Sequence, residues 1–199
     1  MDFVGMKQRI FAISNLSEFN ASALEIFHFQ YSHNPIYQRF VNGLSVQPGS
    51  IMTPEAIPFL PIAFFKTHRI ITGNKEEKLV FESSGTTGMV PSQHYVTDVE
   101  LYEQSFSQGT ERFYGELSGY CIFALLPSYL ERQNSSLVYM VERLMQNSDR
   151  SFGGFFLYEM DKLRDAVLTA RDAGKKIMFI WVTFALLEMA ENYPMDIWF

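Results

Sequence analysis

Residues 120–126 read Tyr-Cys-Ile-Phe-Ala-Leu-Leu and are followed by Pro127. A strand that is buried on both faces has such a continuous apolar run, whereas a strand with one face in water alternates apolar and polar residues. Strands of the first kind occur in parallel sheets that helices cover on both sides. The run therefore predicts a buried strand of an α/β domain, ended by the proline.

The segments after this run alternate between helix and strand patterns. Apolar spacing predicts three helices and two strands, at 135–146, 161–173 and 184–192 for the helices and at 154–158 and 176–182 for the strands. Gly174 follows the second helix, as glycine does at many helix C-termini. Strands that alternate with helices favour a parallel sheet with crossover helices. We therefore predict an α/β fold with a mostly parallel sheet and flanking helices.

The beginning of the chain is predicted to be helical. Residues 21–28 and 35–41 carry apolar side chains at helical spacing, and Asn34-Pro35 is a natural helix start. Four prolines between residues 48 and 61 prevent regular structure there. The predicted organisation is a helical lead-in, the N-terminal region 1–47, followed by an α/β domain, 48–199.

Two further strands and a helix are predicted between the prolines and the buried run. The strands are placed at 68–72 and 78–83, with residues 73–76 as the turn between them. Thr97-Asp98-Val99-Glu100 fits a capping box that starts the helix. One apolar face is predicted for this helix, formed by Val99, Tyr102, Phe106 and Phe113.

Composition and charge exclude several classes of function. The 199 residues are 47% apolar and 19% charged, which is typical of a globular core. The net charge is −6 and no Lys/Arg cluster occurs, so nucleic-acid binding is not expected. A single cysteine fits a reducing compartment. The first residues lack the pattern of a signal peptide, and the apolar run 177–187 is too short to span a bilayer, so a cytoplasmic protein with no membrane span is predicted.

The loop that follows the strand at 78–83 concentrates hydroxyls and glycines. Its residues are Ser83, Ser84, Gly85, Thr86, Thr87 and Gly88. Glycine lets the backbone turn tightly, and consecutive N–H groups in such a turn can bind an anion, with the hydroxyls as further donors. The lysine of a P-loop is missing, and neither a dinucleotide-binding fingerprint nor a nucleophile elbow occurs. An ordinary surface loop is the alternative interpretation.

The same loop resembles the phosphate-binding signature of the adenylate-forming enzymes, which include acyl-CoA synthetases and phenylacetate–CoA ligases. Within them the chain is most similar to the LuxE-like acyl-protein synthetases of bacterial bioluminescence. Three stretches carry the resemblance: residues 57–66, residues 81–96 and residues 125–132. The likeness covers roughly residues 35–190.

The resemblance implies ATP-dependent activation of a carboxylic acid, of fatty type, as an acyl-adenylate. The acyl group then passes to a protein thiol or similar acceptor, so the implied activity is that of an acyltransferase or ligase with ATP and Mg²⁺ as cofactors. It also implies that Ser83, Ser84, Thr86 and Thr87 donate to the ATP phosphates, while Gly85 and Gly88 permit the turn. The 48–199 region would then be a nucleotide-binding-like domain.

The sequence departs from the family in two places. Residues 89–93, Met-Val-Pro-Ser-Gln, stand where many members carry a lysine, so the loop lacks its own cation. The later motifs that bind ribose and complete catalysis are not found, so no catalytic residue is assigned. The chain thus matches the N-terminal portion of such an enzyme, and these 199 residues alone are expected to be inactive.

Two other functions stay open. One is an acyl- or aryl-CoA ligase, which differs in its acid and its acceptor. The other is a non-catalytic remnant or a self-associating interaction module, with a homodimer formed through the apolar stretch 177–199.

A few residues outside the loop are candidates for the substrate vicinity. His94 lies just past the loop and could contact phosphate or polarise a carboxylate, although a structural role is the alternative. Tyr129 and Arg132 follow the buried strand, at the end where open α/β sheets bind ligands. Cys121 lies inside that strand and is predicted to be core. The histidines show no metal-ligand spacing, so no metal site in the protein itself is predicted.

Overall fold

The computed structural model describes residues 3–83, 90–126 and 134–193. Within these residues the chain forms helices at its start and a mixed helix–strand region after it, which confirms the predicted α/β class. The helices are α1 (Phe3–Phe11), α2 (Leu16–His33), α3 (Pro35–Gly43), α4 (Phe64–Thr67), α5 (Val99–Tyr114), α6 (Ser136–Gln146), α7 (Met160–Asp172) and α8 (Thr183–Asn192). The strands are β1 (Leu79–Glu82), β2 (Gln93–Val96), β3 (Tyr120–Leu125), β4 (Gly154–Phe156) and β5 (Lys176–Trp181).

The chain divides into two compact units, Met1–Tyr102 and Glu103–Phe199. This division rests on compactness, whereas the predicted boundary at residues 47 and 48 rests on a change of local pattern. The predicted boundary therefore stays a prediction.

The first unit has a small core between α2, α3 and the proline-rich segment. Its buried side chains are Phe27, Tyr37, Val41 and Ile51. The Tyr37 hydroxyl donates to the carbonyl of Pro58 at 2.7 Å, which ties the proline-rich segment to α3. Between residues 48 and 61 the regular structure consists of two single 3-10 turns, Pro48–Ser50 and Pro54–Ala56, each of which begins at a proline.

Asn34 connects α2 and α3 as the end of one helix and the start of the other. Its side-chain oxygen accepts from the backbone N–H of Ile36 at 3.2 Å and of Tyr37 at 3.1 Å. Its own N–H donates to the carbonyl of Gln30 at 2.9 Å. These bonds satisfy donors that a helix start leaves free, so the predicted start at Asn34-Pro35 is confirmed.

The predicted strand at 68–72 is wrong. The segment is held against the helices by side chains, because the Thr72 hydroxyl donates to Gln30 Oε1 at 2.5 Å and Asn34 Nδ2 donates to Thr72 Oγ1 at 3.4 Å. The N–H of Gly73 also donates to the carbonyl of His33 at 2.8 Å. With its polar groups used in this way, the segment does not pair with β1.

β1 pairs instead with β2, a strand that the sequence analysis does not predict. The two strands are antiparallel, with Leu79 opposite Val96 and Glu82 opposite Gln93. The helix after β2 begins at Val99, and Asp98 rather than Thr97 caps it, since Asp98 Oδ1 accepts from the N–H of Leu101 at 3.0 Å. Asp98 also forms an ion pair with Lys7.

The second unit contains a three-stranded parallel sheet, which confirms the parallel sheet predicted from the alternation of patterns. The order of its strands is β4–β3–β5. β3 lies in the centre, and its residues Cys121 to Leu125 are at most 1% exposed. Side chains of α7 and α8 pack on the face that carries Cys121, Phe123 and Leu125. Side chains of α6 pack on the opposite face. The apolar run at 120–126 thus forms the doubly buried strand that its composition predicts.

Helix ends in this unit also follow the sequence. The Ser135 hydroxyl accepts from the N–H of Val138 at 3.3 Å at the start of α6. Gly174 has a φ of 68°, which favours glycine, and it lies just after α7. Phe113 is the exception to the face predicted for α5, because it is 83% exposed.

Candidate functional site

The β1–β2 hairpin positions the described part of the candidate loop. Phe81 and Val96 are buried on one face of the hairpin, and the Phe81 ring lies 5.2 Å from the ring of Tyr102. Alternate residues of a strand share a face, so Ser83 follows Phe81 on this face, and His94, which is opposite Phe81, shares it too. Ser83, the first residue of the hydroxyl-rich loop, therefore shares a face of the hairpin with His94.

Ser83 and Ser92 are hydrogen-bonded to each other just beyond the paired residues of β1 and β2. The N–H of Ser83 donates to the carbonyl of Ser92, and the N–H of Ser92 donates to the Ser83 hydroxyl oxygen, both at 2.9 Å. Because the Ser83 hydroxyl is an acceptor in this pair, its own hydrogen stays available to an acceptor outside the protein. Ser83 is exposed, so that hydrogen can reach a ligand.

The opposite face of the hairpin carries a chain of polar contacts. The Tyr95 hydroxyl donates to Gln93 Oε1 at 2.5 Å, and Gln93 Nε2 donates to Glu82 Oε1 at 3.1 Å. The guanidinium of Arg69 lies 5.4 Å from the centre of the Tyr95 ring and forms an ion pair with Glu77. These contacts fix the register of the two strands next to the loop.

His94 lies against an aromatic ring of α4. The rings of His94 and Phe65 are stacked, with 6.0 Å between their centres and 8° between their planes. Desolvation lowers the pKa of His94 below its ordinary value, so the ring is neutral at physiological pH. A neutral imidazole can donate one hydrogen bond but brings no positive charge to an anion. Lys66, the residue after Phe65, is exposed and supplies a cation on the same short helix.

The pKa of His94 predicts how stability depends on pH. Since the pKa is lower in the folded than in the unfolded state, the neutral ring contributes stability above 6.5, and this contribution is lost as the pH falls below that value. Wild-type protein is therefore expected to lose melting temperature more steeply between pH 7 and pH 5 than His94→Gln. Differential scanning fluorimetry between pH 7 and pH 5 measures the melting temperatures of both proteins. Parallel profiles for the two proteins would contradict the expectation.

Most of the predicted loop lies outside the described residues. This holds for Ser84, Gly85, Thr86, Thr87 and Gly88 in the loop. Tyr129 and Arg132 also lie outside, although β3 and the buried Leu126 lead directly to their segment. Of the predicted site residues, the structure thus brings Ser83 and His94 together on one face of one hairpin.

Two surface cavities in the first unit lie away from Ser83 and His94. Each has a volume of about 480 Å³, and both are lined by Lys75 and Glu76. One extends to Arg69 and Pro35, the other to Asp98. Their walls carry both signs of charge, so neither selects an anion such as a nucleotide phosphate. The hairpin remains the better candidate because its exposed hydroxyl has a hydrogen to donate.

The cysteine is enclosed by the sheet and its helices. Cys121 is 0% exposed, and desolvation, with the nearby charge of Asp149, raises the pKa of its thiol. A buried neutral thiol is a poor nucleophile. The structure therefore places Cys121 in the core, as predicted.

Asp149 anchors the start of β3 rather than a reactive site. Its N–H donates to the carbonyl of Tyr120 at 2.9 Å, and its carboxylate accepts from Lys175 Nζ at 2.8 Å and from the Ser151 hydroxyl at 2.5 Å. The hydrogen bond from Lys175 and those from Ser151 hold the pKa of Asp149 well below its usual range. The group joins three loops at the end of the sheet opposite to the carboxyl ends of its strands.

Two absences hold for the part of the chain that the structure describes. Residues 3–83, 90–126 and 134–193 contain no group of three His, Cys, Asp or Glu side chains that could hold a metal ion. None of the helices in these ranges has the length and apolar character needed to cross a membrane.

Comparison of the chain with protein-family models, with curated proteins and with solved structures finds no match.

The sequence analysis assigns no role to Ser92 or Arg69, although both belong to the described site. Their contacts with Ser83 and Tyr95 depend on the pairing of β1 with β2. Residues 93–96, Gln-His-Tyr-Val, alternate with aromatic and β-branched side chains, which is the pattern that could have predicted the second strand.

Proposed function

We propose that the chain is the ATP-binding portion of an enzyme that activates a carboxylic acid, of fatty type, as its acyl-adenylate and transfers the acyl group to a protein thiol or similar acceptor. The proposal depends on one observation above all. The motif Ser-Ser-Gly-Thr-Thr-Gly at residues 83–88 begins at an exposed serine that closes a strand pair and keeps a hydrogen to donate.

One described residue of the loop supports the binding of a triphosphate. Ser83 offers a hydroxyl donor, and the resemblance adds Ser84, Thr86 and Thr87. Donors that are fixed before the reaction stabilise the negative charge that moves onto the leaving pyrophosphate. The backbone pairing of Ser83 with Ser92 fixes the first of them.

The charge of the phosphates needs cations as well as hydroxyls. His94 is neutral and does not supply one, and no lysine follows the second glycine of the loop. Mg²⁺ would neutralise phosphate charge when bound with ATP. Lys66 is the described cation that α4 carries next to Phe65, the ring on which His94 stacks.

Isothermal titration with ATP–Mg²⁺ tests the proposal. We expect weak binding by the wild type and binding about fivefold to tenfold weaker in Thr86→Ala and in Thr87→Ala, since one hydrogen bond contributes about 1 kcal/mol. Thr169→Ala is the matched control, because the Thr169 hydroxyl donates to the carbonyl of Asp165 within α7. Wild-type protein that binds no ATP–Mg²⁺, or affinity that neither loop substitution changes, would count against the proposal.

The CoA ligase alternative differs in the acceptor. Pyrophosphate release measured with and without free CoA distinguishes the two, provided that the chain is supplied with whatever completes the enzyme. The self-association alternative is favoured by a different observation, the unpaired edge of β5, and is argued next.

A further inference from the structure

The outer edge of β5 is unpaired within the residues that the structure describes. β5 bonds to β3 on one side, and the order β4–β3–β5 leaves its other side at the border of the sheet. The six residues Lys176–Trp181 therefore present alternate backbone N–H and C=O groups outward. Such a row pairs readily with another strand.

β5 also lacks the features by which proteins protect an edge. It has no proline, and Lys176 at its first position is its one charged residue. β4, the other edge, has three residues and begins with Gly154, so it offers a much shorter row. The β4 edge is therefore protected by its length, whereas the β5 edge is not.

The exposure of β5 indicates a covering element beside it. Ile177, Phe179 and Trp181 pack against the core on the α7 face, and Met178 and Ile180 pack against the core on the α6 face. All five side chains are nevertheless only half-buried, whereas the corresponding residues of β3 are at most 1% exposed. The two strands differ in their number of neighbours, so a further strand on β5 would complete its burial.

The strand that fits must be apolar on both faces, because it would extend a sheet that is covered on both sides. β5 itself meets this requirement at five successive positions, 177–181. β1 and β2 do not, since Glu82, Gln93 and His94 interrupt their apolar residues. A second copy of β5 therefore matches the edge in pattern and in length.

We propose that two copies of the chain pair through β5, antiparallel to each other, about a two-fold axis perpendicular to the sheet. An axis in this direction leaves each face of the sheet continuous, so that two three-stranded sheets become one of six strands. About six backbone hydrogen bonds form between the two strands. With Met178 at the axis, Lys176 of one copy lies opposite Ile180 of the other. The two Lys176 side chains are then about 14 Å apart at 3.4 Å per residue, so their charges do not oppose the contact.

Light scattering and hydrogen exchange on the full chain test the pairing together. We expect a mass of twice 23.0 kDa at concentrations near 100 μM and dissociation on dilution. Exchange of the peptide that covers 176–182 should slow as concentration rises, because the outward amides are protected only in the dimer. A monomer at all concentrations overturns the proposal, and so does a dimer whose β5 amides exchange as fast as those of the monomer. Protection of these amides in a monomer would show that another part of the same chain covers the edge, and would also overturn it.

A matched pair of substitutions separates pairing from folding. Met178→Lys places two like charges near the axis of the dimer and is expected to weaken association about tenfold or more. Met140→Lys is the control, because Met140 is also half-buried and packs against the same core cluster, but lies on α6. Equal loss of dimer in both variants would overturn the proposal, and equal melting temperatures would confirm that the comparison concerns association alone.

Discussion

Replacing Gly153 with alanine is expected to lower the free energy of unfolding of the second unit by about 3 kcal/mol. A Cβ at this position would lie 2.4 Å from the carbonyl oxygen of Ile122, 2.9 Å from its nitrogen and 3.1 Å from its carbonyl carbon. These are backbone atoms of the central strand β3, which is hydrogen-bonded on both sides. Since β3 cannot move without losing hydrogen bonds to β4 or β5, the clash cannot be relieved by a small shift of the backbone.

Gly154 provides the matched control for this prediction. It is the next residue, and an added Cβ there meets no atom within 4 Å. We expect Gly154→Ala to change stability by less than about 0.5 kcal/mol. Urea unfolding followed by tryptophan fluorescence measures both variants, because Trp181 lies in β5 of the same sheet. Similar unfolding midpoints for the two variants would show that the close approach to β3 does not require glycine at position 153.

The fold of the second unit could be predicted from the sequence because its signals are local. An apolar run such as 120–126 is incompatible with a water-facing strand, and Gly174 marks a helix end through its own backbone preference. Helix and strand patterns of useful length then alternate, and a parallel sheet follows from topology. The need for glycine at 153 could not be predicted, because it arises from a contact with a strand 31 residues earlier.

The hairpin could not be predicted in the same way. The segment 68–72 has the composition of a strand, but Thr72 and Gly73 bond to the end of α2. β1 pairs with β2 because the segment 68–72 bonds to α2 instead of to β1. No local sequence pattern indicates which of these partners the segment takes. The candidate site was consequently predicted in part: the hydroxyl-rich loop and His94 follow from the sequence, whereas the hydrogen bonds between Ser83 and Ser92 follow from the pairing.

The centre of the sheet is held by three aromatic rings, one on each strand. The ring of Phe123 lies 6.1 Å from that of Phe156 on β4 and 5.8 Å from that of Phe179 on β5. Phe179 in turn stacks on Trp181 at 4.7 Å. Phe123 is 1% exposed, so its removal leaves a space that the neighbouring rings cannot fill without moving their strands.

Phe123→Ala is therefore expected to lower the free energy of unfolding by about 4 kcal/mol, through lost apolar burial and the cavity that remains. Phe123→Leu should cost about 1.5 kcal/mol, because it keeps most of the volume. Phe113→Ala is the control, since this phenylalanine is 83% exposed and its loss should change stability by less than about 0.5 kcal/mol. The same tryptophan-detected urea unfolding measures all three. A Phe123→Ala variant that unfolds at the wild-type midpoint would show that the three rings do not hold the sheet.

The same two variants can be compared in the association proposed for β5. If Phe123→Ala weakens that association and Phe123→Leu does not, the cavity at Phe123 has shifted the edge strand on which the second copy would dock.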